Sequence, residues 1–489
     1  MTAIETTERR LFIGGEWVDS GGGGTFDVCD PFTGDAVATV AAGTRDDAKR
    51  AVAAAAEAFP AWAAAPPAAR QGVFLRAADV LESRRDEIVD LLARETGCTF
   101  GFGMFQMHFT PGLLRQAAAS AYGPIGEVIP SDVPGAMAMG LRQPVGVVGA
   151  IAPWNAALIL SLRSITAPLA FGNSVVLKPS EWSPISGGLL WGEIFADAGL
   201  PAGVLNIVTH APGQAAGIGD ELVENPAVRR LNFTGSTGTG RRLAEAAGRN
   251  LKRIVLELGG SNPLVVLGDA DLQYAVDAAA FGSFLHQGQI CMSARRIIVE
   301  RSIADAFTEK LVAKTAGLKV GDPKERDTII GPLINGQALS TVAARVQDAV
   351  DRGARVLVGG EAAGPCYRPT LVTDVPADSP FAMEETFGPV ASIEVVDDAD
   401  AAIERANATG YGLSAGIITG DLERGMALAR RIESGIVHVN DQTVGDEPQM
   451  PFGGVKDSGW GRFGGRAAMD EFTELRWVTV QSGTRHFPF

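Results

Sequence analysis

The chain has 489 residues and a formal net charge of −15, with 42 lysines and arginines against 57 aspartates and glutamates. This charge argues against binding to a nucleic-acid backbone or an anionic membrane surface. Hydrophobic residues make up 46% of a chain too long for one compact core, so we expect two or three globular domains. The four cysteines are far apart, which argues against a disulfide framework or a metal site of the zinc type.

The first predicted elements in chain order are helices over residues 44–58 and 66–93. No apolar stretch of signal-peptide length precedes them. Residues 145–162 are almost all apolar and long enough for a membrane helix, but Pro153 stands in their middle among small, turn-prone residues. We therefore predict a buried strand, a turn and a helix there, in a soluble cytoplasmic protein.

From residue 145 onward apolar strands alternate with helices. Continuous apolar strands such as VVLK and LVVL indicate a sheet covered on both faces, and the alternation indicates doubly wound parallel sheets. The pattern runs through two blocks, 145–256 and 257–460, which predicts two such domains. Strands are predicted at 145–151, 174–178, 203–208, 228–233, 253–258, 262–267, 295–300, 355–358, 413–419 and 435–440. Helices are predicted at 183–198, 212–224, 236–248, 271–286, 302–317, 336–352, 399–408 and 421–433.

Two glycine-rich segments could bind a dinucleotide. The literal G-x-G-x-x-G motif at 459–464 follows KDS and not a strand, so it lacks the required structural context. The segment FTGSTGTGRR, 233–242, follows an apolar strand and opens a helix. The helix N-terminus offers free N–H groups to a pyrophosphate. An ordinary tight turn remains an equal alternative for this segment.

Polar residues also follow a buried strand in VVLKPSEWSP, where Lys178 and Glu181 stand at its carboxyl end. Ligands of α/β proteins bind at such ends, and Glu181 could accept hydrogen bonds from the ribose hydroxyls of an adenosine. A solvated loop with a helix cap is a comparable alternative.

Three further residues carry polar or reactive side chains in segments that are otherwise apolar or small. Asn155 offers an amide in an apolar setting, and Glu257 lies within the strand IVLEL, where an unpaired carboxylate is costly to bury. Cys291 lies in HQGQICMSARR without a second cysteine nearby. Taken alone, Cys291 is better interpreted as a buried core residue and Glu257 could be a paired structural carboxylate; only the conjunction of the segments favours a catalytic role.

Taken together, the motifs APWN, KPSE, FTGSTGTG, LELGGSNP, GQIC, EETFGP and MPFGGVKDSGWGR resemble those of the aldehyde dehydrogenase superfamily, in its order and spacing and over nearly the whole chain. The resemblance is greatest with its benzaldehyde, vanillin and salicylaldehyde dehydrogenase branch. It implies an α/β fold with two doubly wound parallel-sheet domains and a small β oligomerisation arm. Residues 1–123 and 145–256 would form the NAD-binding domain and 257–460 the catalytic domain. Residues 124–144 and 461–489 would form the bridging segments.

The resemblance also implies the roles of the reacting groups. Cys291 would attack the aldehyde carbon, while the side-chain amide of Asn155 and the backbone N–H of Cys291 hold the oxyanion. Glu257 would direct a water onto the resulting thioester. A free thiol is only a few per cent thiolate at pH 7 and needs activation, and a partly desolvated carboxylate suits a base. Lys178 is expected both among the catalytic residues and among the cofactor contacts.

The implied cofactor is NAD. Lys178 and Glu181 would contact the adenosine ribose, and a carboxylate at position 181 would repel a 2′-phosphate, so we expect NAD to be favoured over NADP. Two positions depart from the family pattern: Gly238 replaces a frequent Glu, and His286 replaces a frequent Asn and is expected to be structural or supporting. The implied cofactor residues are Ile151, Ala152, Pro153, Trp154, Lys178, Ser180, Glu181, Gly235, Ser236, Leu258, Gly259, Glu385 and Phe387.

An aromatic aldehyde is the expected substrate, with aliphatic aldehydes and semialdehydes as alternatives. Arg163 could meet a ring hydroxyl or methoxy group, or merely pair with a carboxylate; the sequence leaves the two equal. The implied substrate residues are Asn155, Ala156, Leu160, Arg163, Ile290, Met292, Thr443 and Val444.

Three rival functions stay open at this point. A CoA-acylating dehydrogenase would pass the acyl group to CoA, although Glu257 favours water as the acceptor. A cysteine hydrolase would pair Cys291 with one of only five histidines, none of which lies in a known partner motif. A non-catalytic protein on the same fold would not need the three reacting residues. The segments 124–144 and 470–489 resemble the family's bridging arms, and the tail alternates apolar and polar residues as an added strand does. This resemblance implies a homodimer or homotetramer.

Overall fold

The computed structural model describes residues 7–123 and 125–489. Residues 1–6 of the predicted NAD-binding domain and Pro124 of the predicted bridging segment lie outside this range. The strands are β1 Thr7–Arg9, β2 Leu11–Ile13, β3 Glu16–Val18, β4 Thr25–Cys29, β5 Ala36–Ala41, β6 Gly126–Ile129, β7 Ala136–Pro144, β8 Val147–Ile151, β9 Ser174–Lys178, β10 Leu205–Ile207, β11 Val228–Thr234, β12 Arg253–Glu257, β13 Asn262–Val266, β14 Ala294–Glu300, β15 Arg355–Val358, β16 Ala362–Ala363, β17 Cys366–Tyr367, β18 Thr370–Thr373, β19 Val390–Val396, β20 Tyr411–Gly412, β21 Ser414–Ile418, β22 Ile436–Val439, β23 Val455–Lys456, β24 Gly459–Trp460 and β25 Thr473–Gln481.

The helices pack on both faces of these strands. They are α1 Arg45–Ala63, α2 Pro67–Ser83, α3 Arg85–Thr96, α4 Phe100–Ser120, α5 Ala157–Ala170, α6 Leu190–Asp197, α7 Ala215–Glu224, α8 Thr237–Arg249, α9 Leu272–Phe284, α10 Ala304–Ala316, α11 Gly336–Asp351, α12 Pro380–Met383, α13 Ala399–Asn407, α14 Leu422–Ala429 and α15 Gly465–Phe472. A π-helical turn, Ile185–Leu189, precedes α6, and a 3₁₀ turn, Leu285–Gly288, follows α9.

The first large sheet has eight strands in the order β24-β12-β11-β8-β9-β10-β2-β3. The run from β12 to β10 is parallel, while β24 and β2 join it antiparallel. All five residues of both β8 and β9 are buried, as expected for strands with helices on both faces. The carboxyl ends of these strands lie along one edge, where an α/β sheet binds its ligands.

The second large sheet has seven strands in the order β15-β18-β19-β14-β13-β21-β22. Its strands are parallel except for β15, which pairs antiparallel with β18. Strands β13 and β21 are buried throughout. Every strand predicted between residues 145 and 440 is present, with ends within two residues of the prediction.

A third sheet lies outside these two and has the order β25-β7-β6. The tail strand predicted from its alternating pattern is β25, which pairs antiparallel with β7 along its whole length. Large apolar side chains on this sheet are exposed, Trp477 being 81% exposed. The tail is also tied to the first sheet, because the fully buried Arg230 of β11 donates to Glu474 of β25 at 2.6 Å.

The helical predictions differ from the structure at several places, among them the ends of α1, Arg45–Ala63 against 44–58, and of α14, Leu422–Ala429 against 421–433. The helix predicted over 66–93 is two helices, α2 and α3, because the chain leaves helical geometry at Arg84. Helix α4 was not predicted, and its apolar residues occupy several faces with no clear period. The helix predicted over 271–286 ends at Phe284. Between residues 7 and 489, Pro124 excepted, none of the helices has the length and apolar character needed to cross a bilayer.

Candidate active site

The predicted site residues come together because four parallel strands end at the same level. Ile151 of β8 pairs with Lys178 of β9 on one side and with Phe233 of β11 on the other. The next residue of β11, Thr234, pairs with Glu257 at the end of β12. The turns that follow these strands are therefore neighbours in space.

A cavity of about 260 Å³ lies at this edge, between the two large sheets. The predicted nucleophile, base and amide donor all line it, as do the predicted turn after β11 and the predicted cofactor residues Glu385 and Phe387. The lining residues are Pro153, Trp154, Asn155, Leu160, Thr234, Gly235, Ser236, Glu257, Leu258, Gly259, Cys291, Glu385 and Phe387. Of these, only Thr234 was absent from the sequence-based prediction.

The loop that carries Cys291 is held by a left-handed turn. His286, Gln287 and Gly288 have φ angles of 50°, 54° and 64°, a conformation that a residue other than glycine rarely adopts. This turn ends the helical geometry of α9. The side chain of Gln287 fixes it by donating to the carbonyls of Gly97 at 2.9 Å and Pro332 at 3.0 Å.

Asn262 holds the backbone of the cysteine itself. Its amide donates to the carbonyls of Cys291 at 2.7 Å and Ser293 at 2.9 Å, and its oxygen accepts from the N–H of Ser414 at 3.0 Å. Asn262 belongs to the GGSNP motif but was not predicted as a site residue. Its signal in the sequence was an amide in a buried strand, as for Asn155.

Arg295 also holds this loop by hydrogen bonds, and it was not among the site residues predicted from the sequence. Its buried guanidinium donates to the carbonyls of Gly288 and Gly388, and to that of Val390 at 3.2 Å. The loop that carries Cys291 is thus joined to the segment that carries Glu385. Burial lowers the pKa of Arg295 to about 10, with the charge of Glu385 opposing the change.

The side-chain amide of Asn155 uses one of its two N–H groups in a hydrogen bond within the protein. Its side chain is buried and donates to the carbonyl of Gln289 at 2.9 Å. Since a side-chain amide carries two N–H groups, the second is free for a ligand in the cavity. Gln289 is itself fixed, because its side-chain oxygen accepts from the N–H of Ile334 at 3.1 Å.

Glu257 is a buried carboxylate that the protein does not pair. It is 3% exposed, and neither of its oxygens has a hydrogen-bond partner among the described residues. Burial raises its pKa well above the ordinary value, while the charges of Arg163 and Arg462 oppose this change. Gly453 packs against it so closely that a β-carbon there would lie 2.6 Å from Oε1 of Glu257.

Burial, followed by the charges of Glu385 and Glu257, raises the pKa of the Cys291 thiol above the ordinary value. The charge of Arg163 lowers this pKa, but it does not outweigh the effects of burial and of the nearby carboxylates. A proton acceptor is therefore needed before the sulfur can attack. The two carboxylates of the cavity, Glu257 and Glu385, are the groups that line it and can accept a proton.

Glu385 stands opposite a glycine pair. Its Oε1 accepts from the N–H of Gly260 at 3.2 Å, and a β-carbon at Gly259 would lie 2.4 Å from its Oε2. Burial raises its pKa to about 7. Beside it, the rings of Trp154 and Phe387 pack edge to face at 5.7 Å.

The turn after β11 leads into the uncapped N-terminus of α8. Ser236 occupies the cap position without accepting from the helix backbone, and both Gly235 and Ser236 line the cavity. Unpaired N–H groups and the positive end of a 13-residue helix favour an anionic group such as a pyrophosphate. The residues present therefore fit a dinucleotide.

Other predicted cofactor residues lie beside the cavity rather than on its wall. Lys178 is buried at the end of β9, and its carbonyl accepts from the N–H of Ala152 at 3.1 Å. Ser180 donates to Glu181 Oε2 at 3.2 Å. Burial lowers the pKa of Lys178 to about 8, with Glu181 opposing the change.

Of the predicted substrate residues, Asn155 and Leu160 line the cavity with Cys291. Ala156, Ile290 and Met292 are buried in the adjoining core, and Val444 packs against it. Thr443 is fully buried and donates to the carbonyl of Met292 at 2.6 Å.

Arg163 pairs with a carboxylate, Asp446, which the sequence did not single out. Its guanidinium also lies over the ring of Phe452 at 4.3 Å and that of Phe109 at 5.8 Å. The remaining Nη1 of Arg163 and Oδ1 of Asp446 are buried without hydrogen-bond partners among the described residues. The pair therefore retains one free donor and one free acceptor.

His286 lies in the left-handed turn before Cys291 and is buried against another ring. Its ring is fully buried and stacks on Phe102 at 4.4 Å, and both ring nitrogens lack hydrogen-bond partners within the described chain. Burial lowers its pKa to about 3, opposed by the backbone of Asn155. The low pKa keeps the histidine neutral near pH 7.

Comparison with known proteins extends over almost the entire chain. Residues 17–478 match the aldehyde dehydrogenase family. The chain is 50% identical to a vanillin dehydrogenase of Pseudomonas fluorescens, covering 98% of this chain and 99% of that protein. It is 42% identical to an NAD(+) benzaldehyde dehydrogenase of Pseudomonas putida, covering 99% of this chain and 100% of that one. A crystal structure of a salicylaldehyde dehydrogenase from Pseudomonas putida G7, complexed with salicylaldehyde, superposes with a TM-score of 0.96 at 42% identity, over 99% of this chain and 100% of the other. The expected mixed α/β fold with parallel sheets is confirmed by these similarities.

Proposed function

Since the chain belongs to the aldehyde dehydrogenase family, we propose that it oxidises aromatic aldehydes to carboxylic acids with NAD, through covalent intermediates on Cys291. The observation that carries the proposal is that Cys291, Glu257 and Asn155 line one cavity. The chain is an oxidoreductase of a family that uses NAD(P). The preference for NAD, the aromatic substrate and the roles of the individual residues are the proposed part.

In the first step the sulfur of Cys291 attacks the carbonyl carbon. The thiol must lose its proton, and a carboxylate of the cavity accepts it directly or through water. The carbonyl oxygen then becomes an oxyanion, to which the free amide hydrogen of Asn155 and the backbone N–H of Cys291 donate. One such donor contributes about 3–4 kcal/mol of transition-state stabilisation.

Bound NAD supplies the acceptor for the two electrons and the hydrogen that leave the aldehyde carbon. Four parts of the chain would hold it: Lys178 and Glu181 at the adenosine ribose, the N-terminus of α8 at the pyrophosphate, and Glu385 at the nicotinamide ribose. The carboxylate of Glu181 opposes a 2′-phosphate by like-charge repulsion. This repulsion supports NAD over NADP.

In the last step Glu257 frees the product. The thioester on Cys291 is electrophilic, and a water activated by a carboxylate adds to its carbonyl carbon and displaces the thiolate. Glu257 lines the cavity and has two oxygens without partners among the described residues. Both oxygens are available to orient the water and accept its proton.

An aromatic substrate is supported by the names of the similar proteins, which act on vanillin, benzaldehyde and salicylaldehyde. The free donor and acceptor of the Arg163–Asp446 pair offer a hydrogen-bonding site to a ring hydroxyl. We propose that this pair recognises a ring substituent. Aliphatic aldehydes lack such a group and should be poorer substrates.

The proposal is tested by a turnover panel of benzaldehyde, vanillin, salicylaldehyde and hexanal, each with NAD and with NADP. We expect the highest kcat/KM with an aromatic aldehyde and NAD, and no turnover in Cys291→Ala. Activity that survives Cys291→Ala would refute the mechanism. Equal kcat/KM for hexanal would refute the aromatic preference alone.

The same assay with CoA examines the acylating alternative. If Glu257 directs water onto the thioester, added CoA should neither raise the rate nor yield an acyl-CoA. A CoA-dependent gain in rate with acyl-CoA as the product would replace the hydrolytic last step.

We further propose a homo-oligomer, because the sheet β25-β7-β6 presents an exposed apolar surface. Ile129, Leu475 and Trp477 lie on one face of this sheet and are 50%, 65% and 81% exposed, and contiguous exposed apolar surface marks protein interfaces. Light scattering is expected to give the mass of a dimer or a tetramer. A monomer at micromolar concentration would contradict this assignment.

A further inference from the structure

A histidine that no motif singled out stands next to a predicted cofactor lysine. His210 follows β10 as Lys178 ends β9, and these strands are parallel neighbours in which Leu177 pairs with Ile207. His210 is 0% exposed and Lys178 is 6% exposed. The two side chains meet at the carboxyl edge of the sheet, beside the turn that leads to the cavity.

The hydrogen bonds of His210 determine which ring nitrogen carries the proton. Nδ1 lies 3.0 Å from the carbonyl oxygen of Ala211, and because a carbonyl only accepts, this nitrogen must donate. Nε2 is then unprotonated in the neutral ring. It lies 2.6 Å from Nζ of Lys178, so the ammonium donates and the histidine accepts.

This bond limits what the lysine can do. An ammonium has three N–H donors: one is held by His210 and one lies 3.2 Å from the carbonyl of Pro179, which leaves one for a ligand. Glu181 Oε2 lies 3.8 Å from Nε2 of His210, beyond hydrogen-bonding distance. Lysine is a flexible point charge, and two fixed bonds to buried partners restrict its position.

We propose that His210 is a positioning residue for the dinucleotide: as a hydrogen-bond acceptor it holds the Lys178 ammonium so that its remaining N–H meets the adenosine ribose. The inference rests on the proposed function, since it takes NAD to be the ligand. In this proposal His210 contributes to NAD binding by positioning Lys178 and does not contact the cofactor itself. A role in packing alone would require only the volume of the ring.

Two substitutions separate these roles in direct NAD-binding measurements. His210→Gln keeps an acceptor at comparable reach, and His210→Phe keeps the volume but has no acceptor. We expect His210→Phe to weaken NAD binding by about tenfold or more, the effect of losing a hydrogen bond to a charged group, and His210→Gln to bind within about threefold of the unmodified protein. The kcat at saturating NAD should stay within about twofold in both variants.

The binding assay is fluorescence or calorimetric titration of the whole protein with NAD, in the absence of aldehyde. Equal affinity in His210→Phe and the unmodified protein, or an equal loss in His210→Gln and His210→Phe, would overturn the inference. Because no turnover is involved, the result is independent of the aldehyde chemistry. A protein that binds NAD but oxidises no aldehyde refutes the proposed function and leaves the role of His210 to be judged by these affinities.

A second measurement does not depend on either variant folding. Nitrogen-detected NMR of the histidine rings, without added dinucleotide at neutral pH, should give His210 protonated at Nδ1 and unprotonated at Nε2. The opposite tautomer would place an N–H against the lysine ammonium and would refute the positioning bond.

Discussion

Replacing Glu257 by glutamine should separate the two halves of the reaction. The side chain is 3% exposed, and neither oxygen has a hydrogen-bond partner in the described chain. An amide of the same shape therefore breaks no contact with the protein. It removes only the ability to accept a proton, so the change in rate measures that ability directly.

The expected size of the effect follows from the role of a general base. Proton transfer by a positioned side chain contributes about 10²–10⁴ to a rate. We therefore expect the steady-state rate of Glu257→Gln to fall by about 10²–10⁴. Acylation needs Cys291, Asn155 and a proton acceptor, which Glu385 still offers in this variant, so the first turnover should still produce about one reduced dinucleotide per active site.

Stopped-flow absorbance at 340 nm measures both phases, with Cys291→Ala as the control that should show neither. A normal steady rate in Glu257→Gln would refute the role of Glu257 in deacylation, as would a lost burst in a variant whose cysteine still reacts with iodoacetamide. A lost burst would mean that Glu257 is needed to deprotonate the thiol.

The pH dependence gives an independent check on the same residue. Burial raises the pKa of Glu257, so in the resting protein the neutral form persists to higher pH than in an exposed glutamate. Below that pKa the ionised fraction rises about tenfold per pH unit, and the deacylation rate should rise with it. The residual rate of Glu257→Gln should lack this dependence.

Three further predictions concern the surroundings of the site. Gly259→Ala should weaken NAD binding by about tenfold, because the new β-carbon would lie 2.4 Å from Glu385 Oε2; unchanged affinity in a titration would contradict the close contact. Asp446→Ala should lower the free energy of unfolding by about 3 kcal/mol, the cost of leaving Arg163 buried without its partner, and a second change, Arg163→Leu, should recover most of it; urea unfolding that ranks the double variant below the single one would contradict the pairing. Asn262→Ala should lower kcat by about tenfold or more with little change in NAD affinity, since it loses hydrogen bonds to the cysteine loop; an unchanged kcat would show that the loop keeps its geometry without them.

The residues that the sequence could identify share a local signal. Glu257 is a carboxylate in an apolar strand, Asn155 is an amide after one, and Lys178 ends a third. Each is conspicuous against its immediate neighbours, and the resemblance to a known family supplied the roles that spacing alone left open. The parallel strands could be predicted because continuous apolar runs alternate with helices along the chain.

Two of the residues that the sequence missed act across long separations. Asp446 lies 283 positions from Arg163, and Arg295 reaches Gly388, 93 positions away. No local pattern encodes such contacts, because they depend on how the two large sheets pack. Residues 286–288 could not be predicted for a different reason: a left-handed turn at a histidine and a glutamine contradicts their intrinsic preferences.

The burial of Arg230 makes the C-terminal tail part of the folded unit. The guanidinium sits inside the first sheet, and its partner Glu474 comes from the tail. A fragment cut before residue 473 would remove Glu474, the hydrogen-bond partner of this buried guanidinium, and leave β7 with an open edge prone to aggregation. Expression boundaries and protease sites for this protein should therefore be chosen to spare the last strand.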